Sequence, residues 1–147
     1  MPFSPKDILE LYKKLGGPQW ESLAAQGWVE SRYRTDRISP AGAAGVAQFM
    51  PTTWRWAIAK GWVAATAKPT EPEAAIAAQR LYMDWLRDQV ATTPAALAAY
   101  NWGVGHVSAV IVDFGAEWDR HLPRETWAYI REVAAVRDWL TTGGLSV

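Results

Sequence analysis

Apolar side chains recur along this chain in steps of three and four, the spacing that keeps them on one face of an α-helix, and no segment reads persuasively as a strand. The pattern predicts an all-α protein. A first helix opens with Ser4 as N-cap and Pro5 in its first turn, carries Ile8, Leu9, Leu11 and Tyr12, and ends at Gly16-Gly17. A second runs from Trp20 to about Ser31, after which the aperiodic Arg34-Thr35-Asp36-Arg37 predicts that the chain turns. Pro51 or Thr52 opens a third, with Trp54, Ile58 and Trp62 facing inward. A fourth covers Glu73 to Val90, with Ala74, Ala77, Ala78, Leu81, Trp85 and Val90 as its inner face and Arg80, Asp84, Arg87 and Asp88 toward water. Thr93-Pro94 begins a fifth, from Ala95 to about Tyr100, stopped at Asn101-Trp102-Gly103. Val107 to Phe114 forms a sixth apolar segment, and Pro123 opens a seventh through Trp127, Ile130, Val133 and Trp139, closed by Thr141 to Gly144. With no repeat, low-complexity tract or linker, a single domain over residues 1–147 is expected.

One residue breaks the pattern. Trp20, Leu23, Gly27 and Glu30 are spaced by three, four and three, so a carboxylate stands at the end of an apolar seam. Such a glutamate can tip into solvent or pair with Arg32 or Arg34; set instead against indole and alkyl groups, its ionised form loses hydration and its pKa rises. A value near about 6 would suit a proton donor working at neutral pH. The turn-rich stretch Ser39 to Pro51 follows, with small residues and a few polar ones packed together.

Composition removes several alternatives. Fifteen basic residues balance fifteen acidic ones, which leaves no broad attraction to nucleic acid or an anionic membrane. No apolar run approaches the roughly 18 to 20 residues of a transmembrane helix. With no cysteine, and His106 and His121 the only imidazoles, neither a disulfide nor a structural metal is expected. Ten tryptophans supply core filling and stacking surfaces, and most are expected in the core.

Four segments in order carry a resemblance. Trp28-Val29-Glu30-Ser31-Arg32-Tyr33, then Ser39 through Trp54, then Ala98-Ala99-Tyr100-Asn101-Trp102-Gly103-Val104-Gly105, then Leu122 through Ile130, resemble the successive motifs of the soluble, lysozyme-like lytic transglycosylases. The core motifs lie within about residues 19–139. The resemblance implies a compact single-domain lysozyme-like helical fold, akin to goose-type lysozyme, with a substrate cleft. It also implies cleavage of the β-1,4 bond between N-acetylmuramic acid and N-acetylglucosamine in peptidoglycan glycan strands, without cofactor or metal. Glu30 would protonate the leaving oxygen and then, as base, take the proton of the muramoyl 6-hydroxyl as a 1,6-anhydro ring closes.

Glycosidases with two working carboxylates hold them about 5 to 9.5 Å apart. Asp36, the nearest later acid, matches no catalytic position of the motif, so the resemblance implies that Glu30 acts alone, with a positioned substrate hydroxyl in place of activated water. It gives Ser39 a part in positioning acid or substrate, otherwise a turn hydroxyl. Gly42 and Gly45 would let the backbone turn and approach the sugar. Gln48 would offer its amide and Met50 an apolar wall, Met50 otherwise being core. Tyr100 would approach the glutamate, Asn101 would line the cleft or stop a helix, and Tyr129 would line the cleft. Glu125 fits the first turn of its helix better than catalysis. Ala47 stands where the family often has methionine, implying a smaller or differently packed cleft wall.

Two rivals remain open: a lysozyme-type muramidase that uses water on the same fold, and a noncatalytic glycan-binding or structural virion module. The start of the chain, Met1-Pro2-Phe3-Ser4-Pro5-Lys6, has no basic segment leading into an apolar stretch of roughly 7 to 15 residues. The expectation is a bacteriophage endolysin or virion-borne enzyme, made in the host cytoplasm without an export signal and acting as a monomer on the periplasmic wall.

Overall fold

The computed structural model describes residues 3–143. Within them lie seven α-helices: α1 (Pro5–Leu15), α2 (Trp20–Ser31), α3 (Pro51–Ala59), α4 (Pro72–Val90), α5 (Thr93–Trp102), α6 (Val104–Phe114) and α7 (Arg124–Thr141). Two 3-10 turns, Gly17–Gln19 and Gly115–His121, lead into α2 and α7; the second was not expected from the sequence. Among the described residues there is no strand, only isolated bridges from Ala44 to Ile38 and to Phe49. No described helix is long and apolar enough to cross a membrane. Gly144, expected to help close α7, lies outside the described residues.

Local chemistry sets most of the boundaries. Ser4 Oγ accepts from the Asp7 amide at 3.1 Å while Asp7 Oδ2 accepts from the Ser4 amide at 2.9 Å, so two otherwise orphaned N–H groups of α1 are satisfied reciprocally. Thr92 Oγ1 caps α5 by accepting from the Ala95 amide at 3.2 Å. Asn101 and Trp102 stay helical, and the stop comes at Gly103, whose φ of 108° lies outside the helical range. Pro123 is the N-cap of α7 rather than part of its first turn.

The central helix is α2. Ser22 through Gly27 are all buried, and α2 packs most extensively on α7 and also on α1. Its small residues allow this crowding: a Cβ on Gly27 would overlap the Tyr12 hydroxyl of α1. Around α2, α4 packs on α1, α5 and α6, and α5 on α6 and α7. One buried cluster, from Ile8 and Tyr12 through Leu23, Ile76 and Leu86 to Val133, joins these elements.

Three sequence expectations change. The inner face of α4 is Ile76, Gln79, Met83, Leu86 and Val90, with Ala75 and Ala78, while Leu81 is 39% exposed. Alanines at 74, 75, 77 and 78 blur the period, and polar Gln79 sits inside the buried seam. Trp62 falls beyond α3 and is only half-buried. Of the ten tryptophans, Trp54 alone is buried, with its indole N–H donating to the Ala67 carbonyl at 3.0 Å. The others lie at the surface or against its edge, where an indole keeps one face on apolar groups and the other toward water.

Candidate active site

The end of α2 and the loop after it form one wall of a pocket. Arg32 and Tyr33, with φ of 54° and 62°, bend the chain away from the helix axis. The loop then folds back over the helix end: Ser31 Oγ donates to the Gly27 and Val46 carbonyls at 3.1 and 2.8 Å, and Arg37 Nη1 donates to the Glu30 carbonyl at 2.8 Å. These bonds fix the backbone that carries Glu30.

The opposite wall is α7. The Tyr129 hydroxyl donates to Glu30 Oε2 at 2.8 Å. A pocket of about 300 Å³ opens here, lined by Val29, Glu30, Arg37, Asn101, Glu125, Ala128, Tyr129 and Glu132. A larger hollow of about 730 Å³ borders it, sharing Ala128 and Glu132, but Glu30 lines only the smaller of the two.

Burial pushes the Glu30 carboxyl up to about 7, against the opposing pull of the Tyr129 hydrogen bond and the Arg37 charge. Its place at the C-terminal end of α2, the negative pole of the helix, likewise disfavours the ionised form. At neutral pH such a group is present in both protonation states, so it can give a proton and then take one. Among the described residues no three acidic or histidine side chains come together as a metal ion would require.

A family model for the transglycosylase SLT domain matches residues 10–122, most of the chain, and ends just before α7. The chain belongs to the SLT transglycosylase domain family. This SLT domain is 32% identical over 112 residues to the membrane-bound lytic murein transglycosylase F of Haemophilus influenzae (strain PittGG), a match covering 71% of the chain and 21% of that relative. It therefore spans about a fifth of the curated relative's length. Its fold matches that of the 70 kDa soluble lytic transglycosylase of Escherichia coli with a TM-score of 0.79 at 23% identity, over 97% of this chain and 25% of the other. The lytic transglycosylase Slt of Pseudomonas aeruginosa, solved as an inactive mutant, matches with a TM-score of 0.76 at 24% identity, over 95% of this chain and 24% of that one. The expected all-α, lysozyme-like SLT fold is thereby established.

The expected site residues of the SLT domain divide into two groups. Glu30, Asn101 and Tyr129 meet at the pocket. Asn101 Oδ1 accepts from Thr126 Oγ1 at 2.9 Å, which ties α5 to α7 beside the acid. Met50 is 40% exposed at the start of α3, free for an apolar contact rather than buried in the core.

The other group builds the loop. Ser39 Oγ accepts from the Ala43 amide at 3.0 Å, the turn role. Gln48 Nε2 donates to the Gly45 and Arg37 carbonyls at 2.8 and 3.1 Å. Gly45, with φ of 83°, is buried under the Pro69 carbonyl, where any Cβ would overlap it, so it serves close packing rather than approach to a sugar. Tyr100 does come near enough to Glu30 to feel its charge, as expected, but its hydroxyl donates to the Ala47 carbonyl at 2.6 Å; the phenol hydrogen-bonded to the acid is Tyr129.

Three features of the SLT domain's pocket were not anticipated. Arg37, not Arg32 or Arg34, is the cation that acts on Glu30; Arg32 lies over the Trp28 ring, and Arg34 Nε donates to the Ser31 carbonyl. Glu125 and Glu132 line the same pocket, so the acid does have carboxylate neighbours, although burial, Tyr129 and Arg37 govern its proton. The Glu-Thr-Trp-Ala-Tyr-Ile-Arg-Glu run contained the signal: residues 125, 129 and 132 follow at steps of four and three, one face of α7.

Proposed function

We propose that this domain cleaves the β-1,4 bond between N-acetylmuramic acid and N-acetylglucosamine in peptidoglycan, with Glu30 as both acid and base. The observation that carries the proposal is a glutamate titrating at about 7 in a pocket, held by a tyrosine from the opposite wall. Family membership and the murein-directed name of the Haemophilus relative support the substrate class.

The protonated Glu30 gives its proton to the glycosidic oxygen as the bond from muramoyl C1 breaks. The resulting carboxylate accepts the proton of the muramoyl 6-hydroxyl while that oxygen bonds to C1. The products are a free sugar hydroxyl and a 1,6-anhydro-muramoyl end, and Glu30 regains its proton without consuming water. Holding the hydroxyl against C1 supplies the second reactant by positioning, a contribution of up to about 7 to 11 kcal/mol in well-oriented systems.

Asn101, Met50 and the Gln48 carbonyl oxygen are assigned to substrate contact, and Tyr129 to Glu30 and the adjoining sugar. Ser39, Gly45 and Tyr100 shape the loop wall. Relatives with curated names are bacterial, so the bacteriophage setting remains an expectation from the sequence alone.

A second reading is hydrolysis, with water activated by Glu125 or Glu132, because both line the pocket that holds Glu30. Mass spectrometry of fragments released from purified walls separates the two. Anhydro-muramoyl ends support the proposal; reducing ends alone would replace it with the hydrolytic reading.

A further inference from the structure

The groove that holds the acid does not end at its pocket. The hollow of about 730 Å³ shares Ala128 and Glu132 with it, and a further one of about 160 Å³ shares Asp119, Leu122, Trp127 and Arg131 with that hollow. The three run together along α7, from Glu30 outward past Trp127, and the proposed bond cleavage uses only the first.

The outer part suits a different chemistry from that of a neutral sugar. Its floor is apolar, with Leu122, Ala128 and Ala135, but Arg120, Arg124 and Arg131 line it along with Asp119 and Glu132. Arg120 Nε pairs with Glu117 Oε2 at 2.8 Å, whereas Arg124 and Arg131 make no ion pair among the described residues. Arg124 is also the first residue of α7, the positive pole of the helix, where a cation is disfavoured. Neither arginine is therefore explained by the stability of the fold.

The Arg131 guanidinium lies over the Trp127 ring, 4.7 Å from its centroid. It covers an indole face on which a sugar would otherwise stack, and the contact holds the guanidinium in place. N-acetylated sugars carry no charge, so two guanidinium groups left without acids fit carboxylates instead.

We propose that this outer groove takes the carboxylate-bearing peptide carried by the muramoyl sugar, with Arg124 and Arg131 as specificity-determining residues and Trp127 as the support of Arg131. The peptide hangs from the same sugar whose C1 faces Glu30, so it leaves the acid pocket along a continuous path. Its methyl and methylene groups meet the apolar floor, and its carboxylates meet the arginines.

The inference rests on peptidoglycan as the substrate, but its test needs no turnover, so the two can fail separately. An N-acetylmuramoyl peptide, which has no glycosidic bond to cleave, is titrated into ¹⁵N-labelled protein. The Trp127 indole N–H is followed by NMR, its signal assigned by its loss in Trp127→Phe. The same compound with its carboxylates amidated, and the neutral disaccharide diacetylchitobiose, are titrated in parallel. The muramoyl peptide is expected to move the Trp127 signal to saturation. Both arginines are exposed, so amidation, Arg131→Met or Arg124→Met should each weaken binding by about threefold to tenfold, and added salt should weaken it too. The amidated peptide needs no variant to fold. An unmoved Trp127 signal, or equal binding of the acid and amidated peptides, overturns the proposal. So does tighter binding of diacetylchitobiose at Trp127, which gives the groove to the glycan. Release of anhydro-muramoyl ends stands in each of these cases, while peptide binding without such release sinks only the cleavage reading.

Discussion

Tyr129 and Glu30 lie 99 residues apart in sequence and 2.8 Å apart in space, phenol to carboxylate. The contact exists because α2 and α7 form the most extensive helix pair in the fold, and it places a neutral donor on an acid that burial would otherwise leave still harder to ionise.

Tyr129→Phe keeps the ring and removes the donor. A hydrogen bond to a charged group contributes about 1.5 to 3 kcal/mol, so wall-clearing activity at pH 7 should fall about tenfold or more. The alkaline limb of the rate profile should move to higher pH, because Glu30 then holds its proton longer. Arg37→Met, which removes the other group favouring the carboxylate, should move that limb in the same direction. Initial rates of wall clearing from pH 5 to 9 check both.

The raised pKa has a consequence for stability. In the unfolded chain Glu30 titrates near the ordinary glutamate value of 4.5, in the folded protein at about 7, so between these values the folded state binds more protons. Stability therefore falls as pH rises through this window, and the penalty is complete above it. Glu30→Gln should stabilise the protein at pH 8, by up to about 3 kcal/mol, and have little effect at pH 4. Thermal unfolding of both proteins at the two pH values measures the difference.

Gly45→Ala should destabilise by about 2 kcal/mol or more, since it places a Cβ at a φ of 83° and against the Pro69 carbonyl. Gly105→Ala, helical within α6 with open space around it, should be neutral or stabilising by about 0.5 to 1 kcal/mol. Urea unfolding compares the two.

Much of this was legible in sequence because the signals were local. Ser4 and Pro5 opened α1, and Glu30 stood out on an apolar seam of α2 whose small residues bring neighbours close. What escaped depended on packing between elements. Nothing near Tyr100 or Tyr129 shows which phenol will hydrogen-bond the acid, because that follows from how α2 meets α7. Gln79 misled for a related reason: a polar residue inside a step-of-three-and-four seam reads as a wet position until Tyr12 and Gln26 are seen to satisfy it. Arg37 was overlooked because the bend at Arg32 and Tyr33 reverses the loop, so that the cation distant in sequence arrives at the acid.

The central claim is that Glu30 alone moves the proton. Digestion of purified peptidoglycan by folded Glu30→Gln, followed by mass spectrometry of the released fragments, tests it most directly. The account predicts anhydro-muramoyl products from the native protein and a loss of release on the order of 10²-fold to 10⁴-fold in the variant. Undiminished release by folded Glu30→Gln would contradict it.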